Sequence, residues 1–276
     1  MKMKYISEIT DELRVRVLEC LYEDELFNVF LIHFIESQIE DIGELYITES
    51  YDSINSILHM KFDGNSYFTS FYYRNEEGLN EIIKQLKKLN YSRILLSGKM
   101  KDVSKVLDCV GKNKVSAPDI YYKFDINKHK NLTLQQVCNF RIATDSKEDL
   151  NIISKFMIGF FEPTTQQETA DLINTKKLLE DLKVGIYFIE YNEQVVGMAR
   201  ISGKTKKYVD ITTVYIDPQN RGKGFSKSLM EHMVQIIISE NKIPVMQASS
   251  LNIIARKTYE SLGFVKEDDY LFEFIS

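Results

Sequence analysis

Gln219, Gly222 and Gly224, interspersed with Arg221 and Lys223, are the residues whose types and spacing most suit chemistry. A short glycine loop lets successive backbone N–H groups converge on one point, and the absence of Cβ atoms permits close approach by a ligand. The two basic side chains add positive charge beside that point. An anionic phosphate is the natural guest of such a loop if a helix starts at once after it, because the first helical turn adds unsatisfied N–H donors and the positive dipole end. An ordinary turn with solvated basic residues is the competing account of the loop taken alone.

The flanking elements supply that helix. Residues 208–216 (Tyr-Val-Asp-Ile-Thr-Thr-Val-Tyr-Ile) alternate and are rich in β-branched and aromatic types, which predicts a half-buried strand, stopped by Asp217-Pro218. Phe225, Leu229, Met230, Met233, Ile236 and Ile237 recur at three- and four-residue steps, which predicts a helix reaching Glu240. Spacing excludes two nucleotide motifs. A Walker loop needs Ser or Thr where Gly224 stands, and a dinucleotide fingerprint needs a third glycine where Lys227 stands. Downstream, residues 244–250 read as a strand and residues 251–262 as a helix ended by Gly263, with Phe264 opening a last strand pair.

Together these segments resemble the GNAT superfamily of N-acetyltransferases. Gln219, Gly222 and Gly224 match its pyrophosphate-binding loop, and Asn252, Tyr259, Gly263 and Phe264 match its next motif in residue and spacing. The resemblance covers roughly residues 135 to 276. It implies acetyl-CoA as co-substrate, bound by the loop residues Gln219, Arg221, Gly222, Lys223 and Gly224 and by Phe225 and Ser226 at the helix start. It also implies a bulge in the preceding strand, where the backbone around Val214, Tyr215 and Ile216 holds the pantetheine arm and the acetyl oxygen. Asn252 would hydrogen-bond the same arm.

Acyl transfer to an amine needs a proton acceptor, because a free alkylamine has a pKa of about 10, and a proton donor for the departing thiolate. Tyr259 is the expected donor, against the alternative of a buried aromatic packing on Leu262 and Phe264. Asp210, four residues before Val214, lies where some family members carry an acting glutamate, against the alternative of a solvated strand carboxylate. Glu162, Asp171 and Glu190 compete for the role. Arg256 and Lys257 read as solvated helix charges that could also reach the coenzyme's ribose phosphate. No Cys, Ser or Lys of the motif region has a base arranged to make it a covalent nucleophile, so direct transfer in a ternary complex is expected.

Residues 146–161, with Ser146 as N-cap, and 165–182 predict two helices covering the acceptor site, and Phe156, Met157, Phe160 and Phe161 crowd their junction. The first half predicts a helix over 25–35, strands over 44–48, 57–62 and 67–73, a helix over 77–89, a strand over 91–96, a helix over 102–110 and a strand over 120–126. Its helices end as those of the second half do, at Val110-Gly111 and Leu262-Gly263, and an aromatic strand follows each. This order suggests a degenerate repeat of one fold, against the alternative of an unrelated α/β domain. The first copy has Arg74-Asn75-Glu76-Glu77 where phosphate would sit, the wrong electrostatics for coenzyme A. The expectation is an α/β protein (a mixed α+β sheet) with an accessory domain over 1–130, a catalytic acetyl-CoA-binding domain over 131–276, and a polar linker at 128–136.

With 276 residues, 44% of them hydrophobic, the chain is long enough for two packed cores. The formal net charge of −5 argues against nucleic acid and for a cationic small substrate. Cys20, Cys109 and Cys138 lack metal-ligand spacing, no apolar run is long enough for a membrane helix, and the polar residues after Lys4 do not suit a leader peptide. The resulting expectation is a cytoplasmic transferase without a metal or a membrane partner, free to form a homodimer, acting on a small-molecule primary amine. A protein or peptide amine as acceptor, and a non-catalytic acyl-CoA sensor, are the alternatives.

Overall fold

The computed structural model describes residues 2–37, 42–50, 53–89, 91, 93–111, 116–128 and 138–275. The linker expected at 128–136 falls, beyond Lys128, outside the described residues. The chain forms two compact units with interleaved limits, Met1–Asp119 with Asp268–Ser276, and Ile120–Glu267.

The first unit contains β1 (Lys4–Ile6), α1 (Asp11–Tyr22), α2 (Val29–Glu36), β2 (Glu44–Ser50), β3 (Ser53–Phe62), β4 (Tyr67–Tyr73), α3 (Glu76–Lys88), β5 (Ile94–Lys99) and α4 (Met100–Val110). β1 to β4 pair antiparallel in sequence order, and β5 runs parallel to β4. The next strand of this sheet comes from the far end of the chain: Tyr270–Ile275 of β12 (Phe264–Ile275) pair antiparallel with Ile94–Lys99.

The second unit begins with β6 (Asp119–Phe124) and continues through β7 (Asn139–Ile142), α5 (Lys147–Phe161), α6 (Gln166–Leu172), α7 (Thr175–Val184), β8 (Ile186–Tyr191), β9 (Gln194–Lys204), β10 (Tyr208–Ile216), α8 (Phe225–Ser239), β11 (Ile243–Ser249) and α9 (Ile253–Leu262). β7 to β10 pair antiparallel, β11 runs parallel to β10, and β6 lies beyond β11. The strands of both units thus pair in the same order, and the N-terminal half repeats the fold of the C-terminal half in a degenerate sequence.

Burial on both faces of the second unit's strands explains their sequences. Val209 and Ile211 of β10 pack with Phe225, Leu229 and Met233 of α8 on one face. Met198 of β9 and Tyr215 of β10 pack with Phe156, Met157 and Leu178 of α5 and α7 on the other. Each such fully buried side chain stabilises the unit by about 1.5–3 kcal/mol before entropy is counted. Phe160 and Phe161, at the end of α5, remain exposed.

Two helix expectations need correction. The segment 165–182 is two helices, because the Asn174 side chain accepts from the Lys176 and Lys177 N–H groups and starts α7 afresh. The helix expected over 25–35 is a 3-10 turn at Glu25–Phe27 followed by α2. α1, which the periodicity does not announce, buries only Val17, Cys20 and Leu21, and its N-cap is Thr10.

Candidate functional site

The site starts with two irregularities in β10. Thr212 lies opposite Arg200 and Tyr215 opposite Met198, so Thr213 and Val214 face the single residue Ala199 and β10 bulges. Thr213 adopts a left-handed φ of +47°, a conformation that costs a β-branched residue about 1–3 kcal/mol. Its Oγ1 is buried without a hydrogen-bond partner. On the other side, β10 pairs with β11 only from Tyr208 opposite Ile243 to Ile211 opposite Met246, although the strands continue to Ile216 and Ser249. A wedge therefore opens between them at the level of the bulge. Val214 and Ile216 pack toward α8, and Tyr215 toward α5, where its ring centroid is 5.4 Å from that of Phe156.

The glycine loop leads from this wedge into α8. Pro218–Asn220 form a 3-10 turn in which the Asp217 side chain accepts from the Gln219 N–H. Arg221 donates from Nε to the Ile216 carbonyl at 3.0 Å and lays its guanidinium 5.3 Å from the Tyr215 ring centroid. Lys223 Nζ is 3.1 Å from Asn220 Oδ1. Gly222 and Gly224 have φ of +76° and +84°, and a Cβ at either would meet no atom within 4 Å. The glycines are thus required by their backbone conformation, and they front open space. Gly224 is the N-cap of α8 and provides no side-chain hydrogen bond, so the N–H groups at the start of the helix, Phe225 and Ser226 among them, have no side-chain cap. Two left-handed glycines and an uncapped helix start suit an anionic group such as a phosphate.

The second motif lies beside the wedge. Asn252 is the N-cap of α9 and accepts from the Ala255 N–H at 3.1 Å. Tyr259 is 6% exposed, packs edge-on to Phe264 with centroids 6.2 Å apart, and burial raises its pKa above that of an ordinary phenol. Arg256 has structural partners: Nη1 donates to the Ser250 carbonyl at 3.0 Å and Nε to the Tyr122 hydroxyl at 3.4 Å.

Asp210 is not a solvated strand carboxylate. It is 7% exposed, and burial pushes its pKa up to about 7, against a smaller lowering by a hydrogen bond from the Ser202 hydroxyl to Oδ2. Its Oδ1 is buried without a partner. Arg200, opposite Thr212, pairs with Asp181 of α7, whose carboxyl is also raised by burial. Of the competing carboxylates, Glu190 accepts from Arg141 Nε at 2.6 Å and Glu162 is an exposed helix C-cap. Asp171 accepts from Gln167 of its own helix at Oδ1, and its Oδ2, like Asp210 Oδ1, is buried without a partner. Ser202 and the Arg200–Asp181 pair were invisible to sequence reasoning, because a serine or arginine within a strand has no distinguishing pattern.

The first unit lacks these features. β4 pairs with β3 without a register shift, and Thr69 occupies the register position that Asp210 holds in the second unit. α3 starts with an Asn75 cap and two glutamates, Glu76 and Glu77. A Cβ on Gly78 would lie 2.8 Å from the Asn55 carbonyl, so the helix start is packed against backbone. Among the described residues, no group of three or more His, Cys, Asp and Glu could hold a metal ion, and no helix is long and apolar enough to cross a membrane.

Comparison with known proteins bears on the family and the fold. Residues 150–264 match the sequence model of the Acetyltransferase (GNAT) family. No curated protein matches the chain in sequence. Among solved structures, a tandem GNAT protein from the clavulanic acid biosynthesis pathway is similar at a TM-score of 0.69 and 10% identity, with 99% of this chain and 98% of that one covered. A GNAT-family acetyltransferase from Colwellia psychrerythraea aligns over 100% of both chains at a TM-score of 0.65 and 16% identity. A GCN5-related N-acetyltransferase from Sphaerobacter thermophilus aligns over 99% of this chain and 95% of that one, at 0.63 and 12%. At these identities the structural likeness speaks for the fold. With the family match, it makes residues 150–264 a GNAT acetyltransferase domain, of a family that transfers an acyl group from an acyl-coenzyme A to an amine.

Proposed function

We propose that the second unit transfers an acetyl group from acetyl-CoA to a primary amine of a small-molecule acceptor, by direct attack in a ternary complex. The supporting observation is the conjunction of the β10 bulge at Thr213 with a wedge leading to the open, uncapped glycine loop. In this reading Gln219 to Gly224 and the N–H groups of Phe225 and Ser226 hold the pyrophosphate, and Arg221 and Lys223 add charge. Backbone groups of Val214 and Ile216 align the pantetheine arm, with Tyr215 fixing the strand against α5, and Asn252 offers its amide NH₂ to the same arm. The coenzyme supplies the thioester.

Asp210 accepts the proton of the acceptor amine. Its pKa of about 7 suits that task, since a base poised near working pH is the most effective. Tyr259, kept protonated by burial, donates to the departing sulfur. The net charge of −5 favours a cationic acceptor. The first unit, with its capped α3 and no bulge in β4, is an accessory domain.

The test is calorimetric titration of the whole chain with acetyl-CoA and free CoA, beside Gly222→Glu, followed by a panel of small amines, peptides and acyl-CoA esters of increasing length. Micromolar binding lost in Gly222→Glu, with turnover of a small amine, is the expected result. Turnover of peptides alone would transfer the reading to a protein acceptor. Tight binding with no transfer would make the chain a sensor, and no binding by the intact chain would refute the coenzyme site.

A further inference from the structure

β9 carries a second irregularity, separate from the bulge at Thr213. Asp210 lies opposite Gly203 and Ile211 opposite Ile201, so Ser202 is an extra residue in β9 at the position facing the Asp210–Ile211 step. Bulges of this kind re-aim a side chain, and here the Ser202 hydroxyl donates to Asp210 Oδ2. Directly opposite Asp210 stands a glycine, so no neighbouring side chain of that pair competes for the carboxylate. Oδ1 remains buried and without a partner. Ser202 itself is only half-buried.

We infer that Ser202 is a positioning residue for acyl transfer: the β9 bulge exists to hold Asp210 by Oδ2, so that Oδ1 is presented to the acceptor amine. The inference rests on the reading of Asp210 as the base. A carboxylate held by one oxygen cannot rotate its free oxygen away from the amine, and a donor to the ionised form favours that form. Among the described residues, no other hydroxyl or charged side chain hydrogen-bonds Asp210. Arg200 on β9 and Asp181 on α7 are paired with each other, and Glu180 and Lys177 act on Asp181. On α5 and β8, Asp149 and Glu190 are paired with Arg141, while Lys155 pairs with Asp217. β11 presents Val245 at this register. Asp171 of α6 accepts from Gln167 at Oδ1 and leaves Oδ2 buried without a partner.

The experiment compares Ser202→Ala, Ser202→Thr and Asp210→Asn in the full chain. Two readouts are used: the pH profile of kcat/KM with acetyl-CoA and the best amine of the panel, and ¹³C NMR titration of protein labelled at the aspartate carboxyl carbon. Asp210→Asn identifies the Asp210 resonance by its disappearance. Ser202→Ala should raise the Asp210 titration midpoint and the acidic limb of kcat/KM together by about one pH unit, the worth of one charge-assisted hydrogen bond. Ser202→Thr, which keeps the hydroxyl at a half-buried position, should restore both. An Asp210 resonance whose midpoint does not move in Ser202→Ala would overturn the inference. Full activity in Asp210→Asn would instead remove the base reading, with the NMR titration still reporting whether Ser202 holds the carboxylate.

Discussion

Lys155 and Asp217 form a 2.6 Å ion pair that ties the middle of α5 to the residue opening the glycine loop. Lys155 lowers the pKa of Asp217, with a smaller contribution from the Gln219 N–H, so the carboxylate is ionised and its geometry held. The Lys155 side chain is 69% exposed, so the pair adds less than about 1 kcal/mol to global stability. Its effect is local, on the order of the loop. Lys155→Met should shift Tm by no more than about 3 °C while weakening acetyl-CoA binding about fivefold, read by calorimetry at low and high salt. Equal affinity in the two proteins would show that the loop is ordered without the pair.

If Asp210 is the proposed base, it couples function to stability. Its folded-state pKa of about 7 lies above the unfolded value of about 4, so the folded chain binds the proton more tightly. That contribution is fully present below pH 4 and is lost as pH rises from about 4 through 7. Asp210→Asn should therefore be more stable than the parent at pH 8, by about 2–4 kcal/mol, with the difference vanishing near pH 4. Its kcat should fall at least about a hundredfold while acetyl-CoA affinity is retained. Urea titrations at pH 4.5 and pH 8, beside steady-state kinetics, check both halves. A variant no more stable at pH 8 would show that the carboxylate is not buried as described.

Asp149 behaves in the opposite sense. Arg141 donates to both of its oxygens at 2.8 Å, and together with the Thr144 N–H and hydroxyl it holds the carboxyl at about 2. The stability gained, about 2 kcal/mol, is complete above the unfolded value near 4 and is lost as pH falls to about 2. Arg141→Leu leaves a buried carboxylate with only Thr144 and should cost about 3 kcal/mol at pH 7, with much of the acid sensitivity between pH 4 and 2 removed. Thermal melts across that range follow both effects.

Tyr259→Phe tests the proton donor. Burial raises the Tyr259 pKa, so the phenol stays protonated across the working range and adds no limb of its own to a pH profile below about 10. The variant should lose about a hundredfold in kcat, with unchanged acetyl-CoA affinity and an unchanged profile shape. Unaltered kcat would make Tyr259 a packing residue of the α8–α9 core.

The parts of the site that repeat locally were readable in advance. β10 and α8 follow from an alternating β-branched run and a three- and four-residue apolar step, and the structure places β10 at Tyr208–Ile216 and α8 at Phe225–Ser239. Ser146 was legible as the cap of α5 because a hydroxyl before an apolar periodic run satisfies a free N–H of the first turn. α1 was not legible, because its buried stripe of Val17, Cys20 and Leu21 spans little more than one turn. The break at Asn174 was missed because the apolar period continues across it, and only the cap hydrogen bonds end one helix and start the next.

What the sequence by itself determined is therefore the loop: Gly222 and Gly224 have the conformations that only glycine adopts freely, and their distance from β10 and α8 is set along the chain. The tertiary structure alone decided three things. It decided that Asp210 is buried with its pKa raised, since ionisation depends on solvent removed by neighbours far away in sequence. It decided that Ser202 meets that carboxylate, since a one-residue slip in β9 pairing re-aims a side chain without changing composition. And it decided that Tyr270–Ile275 pair with β5 of the first unit, because an alternating aromatic strand carries its pleat but not the identity of its partner, which is settled by register and packing across some 170 residues of chain.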